Sequence, residues 1–140
     1  MAKRDKNWSN HLIRFASSVR GKAFKWGKTD CLSVSLAAVN SMYPSPKVEL
    51  PLYESLGSAR EFYEGGGQGA VLEALQAAPV AFKEATCGDL VVGVNDDEGL
   101  PSVGILLRGV LLSSNRRKGV TLRSISIDEI EEYEIYRPIV

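Results

Sequence analysis

The sequence of 140 residues predicts an α+β domain, in which N-terminal helices and one central buried helix pack on a small, mostly antiparallel sheet. Three observations carry that expectation. Trp8, Leu12, Phe15 and Val19 recur at helical spacing near the start. The run from Asp30 to Met42 is apolar on nearly every side, as a helix at the centre of a core must be. After Pro79 the period changes, and short β-rich segments alternate with turn residues.

Taken in order, Trp8 to Arg20 reads as an amphipathic helix, with Gly21 as its stop. His11 lies beside its apolar stripe and reads as a structural side chain. Asp30 can cap the second helix by accepting from the free N–H groups of its first turn. Pro44 and Pro46 end that helix, and "SMYPSPKVELPLY" reads as an extended crossing up to Tyr53. Ser58–Glu64 and Ala70–Ala78 read as short helices around a flexible glycine turn, Gly65–Gly69. That turn lacks the Gly-Lys-Ser/Thr ending of a phosphate loop and follows no strand. "DLVVGV", "VGILLRG", "GVLLSS", "GVTLRSI" and "YEIYRPI" then predict four or five strands, with Asp89 as a strand-opening cap. The turns between them include "NDDEG", with Asp96, and "NRRKG", which puts Arg116, Arg117 and Lys118 on a solvated face. With no repeat and no composition break, residues 1–140 read as a single domain.

Lys+Arg and Asp+Glu both number 17, which argues against a nucleic-acid binder driven by bulk charge. The basic start has no apolar core of signal-peptide length, and no run approaches the roughly 18 apolar residues of a membrane span. The protein is therefore expected to stay where it is made, or to travel within an assembly. Two cysteines and one histidine make neither a disulfide framework nor a convincing zinc site, so no metal or cofactor is expected. Cys87 should lie at the far end of the first long strand, roughly 20 Å from its other end at ~3.3 Å per residue, and so unpaired with Cys31.

Cys31 is the candidate for chemistry. It sits in the opening turn of a buried helix, where the positive end of the helix dipole favours thiolate, and Trp26 in the flanking "WG" can form a cleft wall. "KWGKTDCLSVSLAAV", then "ATCGDLVVGV", then "PSVGILLRGVLLSS", resembles the NlpC-type branch of papain-like cysteine peptidases in order and spacing, from Phe24 onward. "PLYESLGSAREFYEGGG" is similar to an uncharacterised NlpC-like family found among phage tail genes. The resemblance implies a papain-like fold with Cys31 on the nucleophile and Asp30 before it. It implies substrate contacts at Trp26 and Asp30, and it puts Gly88-Asp89 on the family's Gly-Asp. Where the family has the histidine of His-Val-Gly-Ile, this chain has Ser102, and the third catalytic position falls on Ser113 or Ser114, with Ser114 taken here.

A serine hydroxyl cannot take a proton at neutral pH as imidazole does, and a positioned base contributes about 10²- to 10⁴-fold. The resemblance therefore implies a catalytically impaired domain, serving tail structure or assembly in a phage tail tip or baseplate. Its partners would be other phage tail proteins of the hub or tip. Its place would be the virion tail, after the cytoplasm of the host bacterium before assembly. The alternative is an active cysteine amidase or endopeptidase cutting peptidoglycan stem peptides during genome delivery. A third reading is a small-molecule or acyl-binding domain in the old cleft. For the docking reading, the crossing from Pro44 to Tyr53, with Tyr43, Leu50, Leu52 and Tyr53, is the expected contact surface.

Overall fold

The computed structural model describes residues 3–95 and 98–138. Asp96 and Ile139, both placed by the sequence reading, lie outside the described residues. Helix α1 spans Trp8–Val19 and buries Leu12, Ala16 and Val19. Helix α2, Cys31–Ser41, is capped by Asp30 and has seven buried residues, from Leu32 to Val39. It lies between α1 and the sheet, against which it packs through β3 and β4, so the expected central helix is present.

Six strands form one sheet in the order β1-β6-β2-β3-β4-β5. They are β1 Ala77–Pro79, β2 Leu90–Asn95, β3 Pro101–Leu106, β4 Val110–Asn115, β5 Gly119–Ser124 and β6 Glu134–Pro138. Every neighbouring pair is antiparallel. The architecture is thus α+β, with one strand more than the sequence predicts. Beyond β5, Gly21 and Lys22 continue the pairing at one point, with Gly21 N–H donating to Val120 O and Val120 N–H to Lys22 O, both at 2.9 Å.

The sheet is covered on both faces. Leu90, Val103, Ile105, Leu112 and Val120 meet α1 and α2 in the larger core. Val91, Leu106, Leu111 and Ile135 face the other way, under Phe82, Ile130 and Tyr133. Those covers come from a 3₁₀ turn, Phe82–Glu84, and from helix α5, Ile127–Glu131. Neither is in the sequence reading, although Ser126 with Glu129 three residues on is a helix-start signature; the Ser126 hydroxyl accepts from Glu129 N–H.

The middle of the chain needs three corrections. Helix α3 is Leu56–Glu64, beginning two residues early because Ser55 and Ser58 cap one another reciprocally. Helix α4 is Gly67–Ala74, not Ala70–Ala78. Its alanine-rich end has helical propensity, but Pro79 disfavours a helical Ala78, and β6 offers a partner: Ala77 pairs with Pro138. The glycine segment is no loose hinge either. Gly66 alone turns left-handed, at φ 84°, and a Cβ on Gly67 would lie 2.5 Å from the Phe62 ring.

The strand-opening Asp89 does more than cap. Fully buried, it takes two hydrogen bonds from Arg137 of β6, at 2.8 and 2.9 Å, and one from Thr86 N–H at 2.9 Å. Arg137 also donates to Glu84 O, which seats the 3₁₀ turn on the sheet. Removing the cation leaves a buried carboxylate with a single donor, an expensive state. Arg137 is 40% exposed, which screens the pair, so Arg137→Ala should cost about 1–3 kcal/mol by urea denaturation. Asp89→Asn in that background should recover part of the loss; a loss below about 0.5 kcal/mol would mean the pair does not hold the sheet together.

Candidate functional site

The site begins with Asp30. Its residue is 2% exposed, and its carboxylate takes three donors from three segments. Gly27 N–H donates to Oδ1 at 2.8 Å, and Ser33 N–H to Oδ2 at 3.4 Å. The Tyr53 hydroxyl donates to Oδ2 at 2.5 Å. Gly27 must be glycine: it sits at φ 76°, and a Cβ there would lie 2.2 Å from Tyr53 O. Asp30 is therefore engaged by the protein itself, while it also lines the cleft where the resemblance implies a substrate contact.

This arrangement fixes where Cys31 opens α2. The thiol is partly buried and donates weakly to the Pro101 carbonyl at 3.8 Å, at the start of β3. A cleft of about 550 Å³ opens beside it, lined by Trp26, Cys31, Ser102, Ser113, Ser114 and Arg116 among others. Trp26 is a wall of it, as expected. Its ring takes an edge contact with Phe24 at 4.8 Å, and an aromatic chain continues through Tyr53 and Phe62 to Tyr63.

Strand alternation decides which serines belong together. Val103 and Ile105 point into the α2 core while Leu106 points away, so Ser102 and Gly104 share the outer face with Leu106. On β4, Leu112 faces α2 and Leu111 faces away. Ser114 thus lies on the α2 side, buried, with its hydroxyl making no hydrogen bond among the described residues. Ser113 lies on the same face as Ser102 and donates to Val103 O at 2.8 Å. Ser113, rather than Ser114, therefore shares a face of the sheet with Ser102.

No imidazole reaches this place. The chain's one histidine, His11, is 3.3 Å from Asp5, and Asp5 N–H donates to Met42 O. That puts it at the opposite end of α2 from Cys31, along a helix roughly 16 Å long. Cys87 is equally remote: it lines a different cleft, with Trp8 and Arg108, and neither cysteine is in a disulfide. Burial pushes the Cys87 thiol up, against the charges of Arg108 and Arg4. Among the described residues no cluster could hold a metal ion, and no helix is long and apolar enough to cross a membrane.

Two residues at the mouth escaped the sequence reading. Arg116, assigned there to a solvated turn, donates to both oxygens of Glu98 at 2.9 and 3.0 Å, and its guanidinium lies 5.8 Å from the Trp26 ring centre. Arg60 of α3 holds the Glu98 carbonyl at 3.0 and 3.3 Å. The signal available was charge: "NDDEG" and "NRRKG" are sequence stretches of opposite sign. The crossing also needs revision. Tyr43 and Tyr53 are each 5% exposed and pack on their own domain, which leaves Leu50 and Leu52 as its exposed apolar residues.

The chain belongs to a family described as a domain of unknown function (DUF6950), whose model matches residues 3–131. Among curated proteins, none matches it.

The Asp30–Tyr53 contact has a pH signature. Burial first, then the charges of Tyr63 and Asp30 and the hydrogen bond to Asp30, push the Tyr53 hydroxyl far above its ordinary value of 10.0. The folded chain keeps this proton where an unfolded chain loses it. The contribution is therefore complete below about pH 10 and is lost as pH rises beyond it. Tyr53→Phe should cost about 1–3 kcal/mol at neutral pH. Urea midpoints measured on both sides of about pH 10 should fall more steeply for the wild type than for the variant. Parallel pH profiles would remove the contact from this account.

Proposed function

We propose that this chain is an NlpC-like domain that no longer performs hydrolysis and acts as a docking component in the tail tip or baseplate of a phage or phage-derived particle. The observation that carries the reading is the separation of Cys31 from the chain's one imidazole, at opposite ends of α2. A cysteine of ordinary pKa is only a few per cent thiolate at neutral pH, and amide cleavage also needs an acid for the departing amine. Ser102 and Ser113 supply neither. What persists is a shaped cleft with an aromatic wall, held in place by a satisfied buried carboxylate. The tail setting rests on the resemblance of "PLYESLGSAREFYEGGG" to a family among phage tail genes.

Leu50 and Leu52, 37% and 94% exposed, are the part of the crossing that supports docking to another tail protein. Proline has already restricted that segment, so little further ordering entropy opposes an interface there.

Purified protein incubated with peptidoglycan fragments should release no new amine or peptide, and Cys31→Ala should be indistinguishable from wild type. In particles, the chain should co-purify with tail proteins, and Leu52→Asp should reduce that association. Cleavage abolished by Cys31→Ala would replace the docking reading with that of an active amidase or endopeptidase.

A further inference from the structure

We propose that the cleft beside Cys87 binds a small organic carboxylate with an apolar body, whose charge is met by Arg108 and Arg4. This cleft is separate from that of Cys31, and the proposal is independent of the docking reading above. It measures about 430 Å³. Four segments build it: the opening turn of α1, the stretch before β2, the β3–β4 turn and the cover that follows β5. Gly88 N–H donates to Leu106 O at 2.7 Å and Ile125 N–H to Gly109 O at 3.2 Å, so backbone bonds fix the walls. Trp8, Leu106 and Ile130 line it with apolar surface, and Ser9, Cys87 and Arg108 with polar groups.

Charge and lining together select the ligand. Arg108 is exposed and makes no salt bridge among the described residues. The Arg4 guanidinium lies 4.5 Å from the centre of the Trp8 ring, and a Cβ on Gly88 would lie 3.4 Å from its Nη1. Its Nε and Nη2 are buried and make no hydrogen bond among the described residues. A cation so shielded from water is costly without a counter-charge, and an anion in the adjoining cleft offsets that cost. The charges of both arginines act on the Cys87 thiol. Helix α1 adds to the field, since Asn7 gives it no side-chain cap and its first turn holds no acidic residue. No carboxylate among the described residues lines the cleft. Nearby, Asp89 is bound to Arg137, Asp5 to His11 and Asn7 N–H, and Glu129 to Arg123, while Glu84 and Glu131 are exposed. Asp96 and Asp97, outside the described residues, follow the far end of β2, roughly 17 Å from its start at ~3.3 Å per residue. Met1, Ala2, Ile139 and Val140 have no ionisable side chain. The apolar lining fits a carbon body, and a guanidinium fork matches the two oxygens of a carboxylate.

The experiment follows alkylation of both cysteines of the full chain by iodoacetamide, read by peptide mass spectrometry, with and without millimolar octanoate. Neither cysteine is in a disulfide, so each thiol reports on its own cleft. Octanoate should slow Cys87 modification about fivefold, by shielding the thiol and by disfavouring its thiolate, and leave Cys31 within about twofold. Octanol, of the same length but uncharged, should protect Cys87 far less. Arg108→Gln, a change at an exposed side chain, should raise the half-protecting octanoate concentration about three- to tenfold. Lys28→Gln, an equal change of charge in the loop before α2, should leave it within about twofold. Equal slowing at both thiols, equal protection by octanol, or no protection at Cys87 would overturn the proposal. So would a shift for Lys28→Gln equal to that for Arg108→Gln, or no shift for Arg108→Gln.

Discussion

A single buried carboxylate decides the geometry of this molecule's functional end. Asp30 caps α2 from a nearly buried position, and its carboxyl oxygens are tolerable at that depth because donors meet them. The donors come from the turn before the helix, from the helix itself and from the crossing that follows it. Gly27 lets the turn pass beneath the Tyr53 backbone, and Tyr53 brings its ring into the cluster with Trp26 and Phe62. The position of Cys31 is thus a consequence of solvating its neighbour, and it survives whether or not the thiol has any chemistry left.

Much of this was legible in the residues. The cap at Asp30, the uninterrupted apolar run behind it and the change of period after Pro79 predict the central helix and the sheet, because each is a local signal that tertiary packing reinforces. Less legible was anything decided by an edge partner. Ala77–Pro79 has the composition of a helix end, and only the presence of β6 makes it a strand. The short α5 was missed because five residues are too few for a helical period to show; its Ile130 packs with Val91 and Leu111 on the sheet face away from α2.

The arrangement of the site is only partly legible for a comparable reason. Position along the chain finds Cys31, Trp26 and Ser102, since a motif is linear. Which of two adjacent serines faces which side of the sheet depends on β-strand phase, and that phase is fixed by Leu111 and Leu112 choosing different cores. That Asp30 and Tyr53 satisfy one another was not legible in either residue's surroundings in sequence. Mutual satisfaction across 23 positions of sequence leaves no mark in either local pattern.

The strand order has a further consequence for how the chain comes to be folded. The strand made last, β6, does not sit at a border of the sheet but between β1 and β2, and it brings Arg137 to the buried Asp89. Before Glu134–Pro138 joins the sheet, β1 has no strand partner among the described residues and the Asp89 carboxylate lacks Arg137. The hairpins from β2 to β5 close locally, whereas the pairing that satisfies Asp89 reaches across 48 positions of sequence. The insertion of β6 is thus the long-range, slow step in assembling this sheet.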